Sequence, residues 1–76
     1  MNTKRRKSIV FIKDQIENLK SVLENLRDEE QDCYDNMPES FQNGDRGCVS
    51  EQAISDMEEA INSFDEAIGS LESAVV

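Results

Sequence analysis

The chain has 76 residues, a formal net charge of −9 at pH 7 and no histidine. This length is enough for one small domain, and no apolar run reaches the roughly 18 residues expected of a transmembrane helix. The absence of histidine removes the commonest switchable acid–base group and metal ligand. The excess of acid disfavours general nucleic-acid binding, and the basic start is followed by too short an apolar run for a signal peptide.

Charge is divided unevenly along the chain. Residues 1–27 carry seven basic residues against three acidic ones, whereas residues 28–76 carry fourteen acidic residues against Arg46 alone. This division is typical of two helices of opposite charge, and the alternative is an acidic recognition surface for a basic partner. Residues 1–7 are predicted to form a basic tail, because four consecutive cations oppose a helix dipole at its start.

The first helix is predicted over residues 8–36. Apolar residues recur in steps of three and four, which indicates an a/d heptad seam. Its members are Ile9, Ile12, Ile16, Leu19, Leu23 and Leu26. The same spacing continues through Glu30, Cys33 and Met37, and Pro38 then disfavours helical geometry. Glu30 is the polar exception in the seam, and it either loosens the seam or pairs with Arg46.

Residues 37–49 are predicted to form a loop with a short helical turn after Pro38. Asn43-Gly44 and Gly47 are expected to interrupt the helical pattern. Tyr34, Met37, Phe41 and Val49 are apolar or aromatic residues near this loop. They are interpreted either as a small core at the tip or as a binding surface, since such residues are favoured at interfaces.

The second helix is predicted over residues 50–75. Its heptad seam is stricter than the first and comprises Ile54, Met57, Ile61, Phe64, Ile68, Leu71 and Val75. Ser50 is expected to cap this helix, with Val49 packing on Ile54 as a hydrophobic staple. Alanine recurs every seventh residue beside the seam from Ala53 to Ala74, and such small residues allow close helix approach.

The charges beside the two seams predict antiparallel pairing. If Ile9 and Ile54 are both a positions, basic residues of the first helix meet acidic residues of the second at position e. The pairs are Lys13–Glu72, Lys20–Asp65 and Arg27–Glu58, whose residue numbers have the same sum. Each exposed pair contributes only ~0–1 kcal/mol, so the pairs select the register more than they stabilise the fold.

The predicted fold class is therefore all-α, an antiparallel two-helix, coiled-coil-like hairpin that dimerises into a four-helix bundle. Dimerisation is expected because so short a chain buries little apolar surface alone. The predicted dimer interface comprises Val10, Phe11, Val22, Ala60 and Ala67. The alternative is a hairpin that stays unpaired until it meets a foreign protein.

No catalytic or metal-binding pattern is present, so neither an enzyme activity nor a cofactor is predicted. Cys33 and Cys48 are interpreted as reduced thiols, with Cys33 in the seam and a disulfide as the alternative. Two cysteines without histidine make only half of a zinc site. The acidic run from Asp28 to Asp32 is interpreted as a solvated helix face.

The central segment resembles a known group of proteins. Residues 35–42 read D-N-M-P-E-S-F-Q, and Ala/Glu heptads follow. This pattern is similar to a family of short, acidic bacterial and bacteriophage-type helical-hairpin proteins, over most of residues 24–74. Gly44-Asp45-Arg46 departs from the Ser-Glu-Arg of the family pattern. The resemblance implies a mobile-element origin and a location in the cytoplasm of a bacterial or phage-infected cell, and it implies no mechanism.

The expected function is that of a small protein–protein interaction module that binds or inhibits a host protein. The residues expected to contact the partner are Tyr34, Met37, Phe41, Glu58, Asp65 and Glu66. One alternative is a structural or assembly accessory protein. Another is an acidic mimic of nucleic acid, although the cations of the first helix would neutralise part of its acidic surface.

Overall fold

The computed structural model describes residues 1–76 and contains three helices and no strand. They are α1 (Thr3–Asp35), α2 (Glu39–Gln42) and α3 (Asp45–Ala74). The two long helices lie antiparallel in a rod of 58 × 14 × 13 Å. The all-α prediction is confirmed. The chain has three helices where two were predicted, because the four-residue α2 lies in the predicted loop.

The first helix begins earlier than predicted, at Thr3 instead of Ser8. The side chain of Asn2 accepts a hydrogen bond from the backbone N–H of Arg5 at 2.8 Å. This N-cap satisfies one of the free amide groups at the helix start, so the basic residues predicted as a tail form the first turn of α1. The helix ends at Asp35, with Asn36 as its C-cap.

The third helix also begins earlier than predicted, at Asp45, with Gly44 as its N-cap residue. Ser50 is therefore not an N-cap; it lies inside the helix and is buried. The staple between Val49 and Ile54 is likewise wrong, because Val49 is 70% exposed. Pro38 opens α2 as expected, and its carbonyl accepts hydrogen bonds from two backbone N–H groups of that helix.

Gly47 allows α3 to begin directly against α2. A Cβ atom at this position would overlap the backbone carbonyl of Gln42, and Gly47 itself is buried. The residue was predicted to interrupt the helix, but it is helical. Because glycine has no side chain, the backbone of α3 at Gly47 can lie directly against the backbone of α2 at Gln42.

The seam of α3 packs as predicted, whereas that of α1 is rotated. In α3, the a residues Ile54 and Ile61 are the buried hydrophobic side chains of the chain. In α1, positions a and e face α3, and the d residues lie outside. The d residues Ile12, Leu19 and Leu26 are each about half exposed, so their predicted place in the seam is wrong.

The predicted register is confirmed at two of its three ion pairs. Lys13 Nζ lies 3.8 Å from a Glu72 carboxylate oxygen, and Lys20 Nζ lies 2.5 Å from that of Asp65. The third pair is wrong, because Arg27 instead pairs with the adjacent Asp28 at 3.1 Å. A neighbouring carboxylate on the same helix satisfies this guanidinium without reaching across to α3.

The two helical glycines provide a matched test of the packing. Gly47→Ala is expected to destabilise the chain by about 2 kcal/mol, because the new methyl group overlaps backbone that cannot move freely. Gly69→Ala is expected to stabilise it by about 0.5–1 kcal/mol, because Gly69 is exposed and its Cβ would meet nothing. Urea denaturation followed by circular dichroism measures both. Equal effects at the two positions would contradict the close α2–α3 contact.

Candidate functional site

Charged residues are confined to one part of each long helix. Between Ser8 and Arg27, and between Met57 and Val76, every charged residue occupies heptad position b, e or f, counted from Ile9 and Ile54 as a positions. These residues are Lys13, Asp14, Glu17, Lys20, Glu24 and Arg27 in α1, and Glu58, Glu59, Asp65, Glu66 and Glu72 in α3. Positions c, d and g carry none, although 33% of the chain is charged.

These uncharged positions lie on the same side of the rod in both helices. The e positions of α1 and α3 meet across the ion pairs, so positions c, d and g fall on the other side of the antiparallel pair. We define the uncharged face as the c, d and g positions of residues 8–26 and 57–74. Its large apolar members are Phe11, Ile12, Leu19, Val22 and Leu26 from α1, and Met57, Phe64 and Leu71 from α3.

Four of the five residues predicted for a dimer interface lie on this face. Phe11 is 64% exposed and Val22 is 55% exposed, while Ala60 and Ala67 are half-buried at its α3 edge. Val10 is the exception, because position b places it next to the charged row on the opposite side. This difference could have been found from the sequence, because the charged residues in this part of α1 occupy positions b, e and f, and Val10 shares position b with two of them.

The opposite side of the rod carries a row of polar contacts. Beyond the two ion pairs, the Tyr34 hydroxyl donates a hydrogen bond to the Glu51 carboxylate. This bond raises the pKa of the Tyr34 phenol above its ordinary value. The hydrogen bond to Asp65 likewise raises the pKa of the Lys20 ammonium. Tyr34 and Glu51 both occupy position e, so extending the predicted register by one heptad would have found this contact.

The three acidic residues expected to bind a partner do not act alike. Asp65 is engaged by Lys20 at 2.5 Å. Glu58 and Glu66 are exposed and make no ion pair within the chain. Of these three residues, Glu58 and Glu66 are therefore available to a partner, whereas Asp65 between them is held in an internal ion pair.

The loop end of the rod contains a polar layer beneath an apolar surface. The hydroxyl of Ser50, which is 2% exposed, donates a hydrogen bond to the Glu30 carboxylate at 2.9 Å. Glu30 is thus paired with Ser50 and not with Arg46, whose guanidinium carbon lies 5.4 Å from the ring centre of Phe41. A polar pair at a seam position favours one register over its neighbours.

The four apolar or aromatic residues near the loop divide into two pairs. Tyr34 and Met37 are half-buried, whereas Phe41 and Val49 are exposed. Met37 and Val49 line an open cavity of about 330 Å³, together with Glu30, Asp45, Arg46 and Ser50. The loop end is therefore partly a small core, formed by Tyr34 and Met37, and partly an exposed apolar surface, formed by Phe41 and Val49. These two descriptions are the alternatives that the sequence left open, and each applies to one pair of residues.

The two cysteines are free thiols and both are exposed. Cys33 occupies position d, on the side of the uncharged face, whereas Cys48 occupies position b on the polar side. The alternative of a disulfide across the loop is therefore wrong, and so is the interpretation of Cys33 as a core residue. The rotation of α1 that exposes its d positions accounts for the latter error.

Comparison with known proteins assigns the chain to no family, so its function is argued from its sequence and geometry alone. No protein-family model, curated protein or solved structure matches it. The resemblance to the phage-type family stays a prediction. Neither long helix has an apolar stretch that could cross a membrane, and no group of three or more His, Cys, Asp or Glu side chains is placed to hold a metal ion.

The single tyrosine of the chain reports on the polar row. We expect its phenol to titrate above the ordinary tyrosine pKa, and Glu51→Gln to lower that pKa towards the ordinary value by removing the charged acceptor. Glu58→Gln, which removes an equal charge without a hydrogen bond, is the control and leaves the pKa unchanged. Ultraviolet absorbance of tyrosinate during a pH titration measures both variants.

The same shift has a stability consequence of known sign. The pKa values of Tyr34 and Lys20 are higher in the folded chain, so both contacts stabilise it below the unfolded pKa values. That contribution is lost as the pH rises through the folded pKa values. Unfolding free energy measured in urea is therefore expected to fall at alkaline pH, and to fall less in Glu51→Gln. An identical alkaline dependence in both proteins would contradict the contact.

Proposed function

We propose that this chain is a small non-enzymatic protein–protein interaction module that pairs with a second copy through its uncharged face, forming a four-helix bundle. The observation that carries the proposal is the confinement of charge to positions b, e and f over residues 8–27 and 57–76. In α1, every c, d and g residue between Ser8 and Leu26 is exposed. A surface that stays in water has no physical reason to exclude charge from these positions. A surface covered by a partner does, because burying an unpaired charge is costly.

The size of the core supports the same conclusion. Only Ile54 and Ile61 are buried hydrophobic residues, whereas Phe11, Leu19 and Val22 are more than half exposed. Small domains bury a low fraction of their surface and are only marginally stable. Covering the uncharged face would turn an exposed apolar stripe into a shared core, as in other four-helix bundles.

The area of the face is sufficient for a specific interface. From Ser8 to Leu26 it is about 27 Å long at a rise of 1.5 Å per residue, and it is two helices, about 20 Å, wide. Two copies would together bury roughly 1,100 Å², which is near the lower end of specific protein interfaces. The small side chains along α3, such as Ala60 and Ala67, would let the second copy approach closely.

The loop end supports a second contact, with a foreign protein. Phe41 and Val49 are exposed, and the adjoining cavity combines an apolar wall with charged groups. Exposed apolar residues rimmed by polar ones are typical of protein-binding sites. In this proposal the bundle is the scaffold, and each copy presents one loop end to a partner such as a host protein.

Sedimentation equilibrium tests the pairing directly. Leu19→Lys places a charge at the centre of the uncharged face, and we expect it to raise the dimer dissociation constant by at least about 100-fold, since two leucine contacts are lost per dimer. Ser21→Lys is the matched control, because Ser21 is exposed at position f, and it should leave the dimer intact. A wild-type chain that stays monomeric at micromolar concentration would refute the proposal.

Affinity capture separates the loop end from the pairing face. The double variant Phe41→Ala, Val49→Ala is expected to remain helical and dimeric, because both side chains are exposed, but to lose proteins that the wild type retains from a host lysate. Ser40→Ala, an exposed substitution in the same segment, is the control. Equal capture by all three proteins would contradict a role for the loop end.

A further inference from the structure

Opposite charges lie at the two ends of the uncharged face. Before it, Lys4 and Arg5 occupy positions c and d; after it, Glu29 and Asp32 occupy positions g and c. All four therefore lie on the same side of α1 as the uncharged face. All four are exposed, and none takes part in an ion pair within the chain.

The same charges are unfavourably placed with respect to α1 itself. A helix favours acidic residues in its first turn and basic residues in its last. In α1 the first turn contains no acid and the last turn contains no base. Lys4 and Arg5 lie at the positive end of the helix dipole, and Asp32 lies at its negative end. Each end of α1 is thus suited to the opposite end of another α1.

We propose that two copies pair antiparallel, with their loop ends at opposite ends of the bundle, so that Lys4 and Arg5 of each copy contact Glu29 and Asp32 of the other. The occupant of the uncharged face is a second copy of this chain, in one defined orientation. This inference rests on the proposed function, because it presupposes that the uncharged face pairs with itself.

A two-fold axis allows two orientations, and the charges discriminate between them. With the loop ends apart, each α1 lies along the α1 of the other copy, and position d packs on position d. If Leu19 meets Leu19, then Arg5 faces residue 33 of the second copy, one residue from its Asp32. Opposite charges then meet at both ends of the interface.

With the loop ends together, each α1 lies instead along the α3 of the other copy. The register of the ion pairs then places Glu29 opposite Asp56 of the second copy, and both carry negative charge. Lys4 and Arg5 face only the end of α3, which has no acid at positions c, d or g after Asp56. Charge at the rim of an interface selects its orientation in this way.

Charge reversal at adjacent residues tests the contact. Arg5→Glu is expected to raise the dimer dissociation constant about 10-fold or more at low salt, and adding Asp32→Arg should restore it. Arg6→Glu is the matched control, because it makes the same charge change at position e, away from the uncharged face, and should alter the constant less than about 3-fold. High salt should reduce the difference, since exposed charges are screened.

A distance measurement tests the orientation independently. In a Cys33→Ser variant, a spin label is attached to Cys48, which is exposed on the polar side and away from the uncharged face. With the loop ends apart, the two labels should be about 50 Å from each other, because each lies some 18 residues from the two-fold axis. With the loop ends together, the distance should be below about 35 Å.

The outcomes separate the two proposals. A distance of about 50 Å together with rescue of Arg5→Glu by Asp32→Arg supports the antiparallel pairing. A short distance, or equal effects of Arg5→Glu and Arg6→Glu, overturns the orientation while the dimer itself stands. The absence of any measurable distance in a monomeric chain refutes the pairing of the uncharged face and the orientation together.

Discussion

The architecture depends on one constraint: α1 has more apolar surface than a single neighbouring helix can cover. Between Ile9 and Leu26, apolar residues occupy all of its a and d positions and some of its c and g positions, which together span roughly 40% of the circumference. The α3 helix covers the a positions, and Leu19 on the other flank remains more than half exposed. Lys13 and Lys20 at position e can lay their aliphatic stems along the contact and place their charges beside acidic residues of α3. Rotation of α1 towards its e side therefore covers the apolar a residues and also pairs these two lysines.

The polar row opposite the uncharged face has a different task from the apolar contacts. Its ion pairs are partly exposed and contribute little stability individually. They are regularly spaced, however, and the Tyr34–Glu51 hydrogen bond continues the same spacing towards the loop. The hydrogen bond between Ser50 and Glu30 closes the series with a polar seam layer. A shift by one residue would break all of these contacts at once, so together they define the register while the isoleucines supply the burial.

The candidate surfaces were predictable to different degrees. The heptad positions of the charges delimit the uncharged face, and these positions alone are enough to exclude Val10 from it. The burial of Ser50 was not predictable, because serine before an apolar run is equally typical of an N-cap. The helical start at Thr3 was likewise hidden, since four cations oppose the dipole and only the bond from the Arg5 amide to Asn2 shows that the turn forms. The exposure of Cys33 follows from the rotation of α1, which is a property of the pair of helices.

The sequence by itself determined the helical class, the antiparallel direction and the register, because apolar spacing and charge spacing are local patterns that survive in any packing arrangement. Only the tertiary structure decided which flank of α1 is covered, where the helices begin, and that α2 packs against Gly47. The physical reason is that a heptad pattern shows which positions are apolar but not how many neighbouring helices pack against them. With one neighbour, the a and e positions of α1 turn inward and its d positions turn outward. Although the chain has a net charge of −9, the c, d and g positions of α1 between residues 8 and 26 then form an exposed surface without a charge.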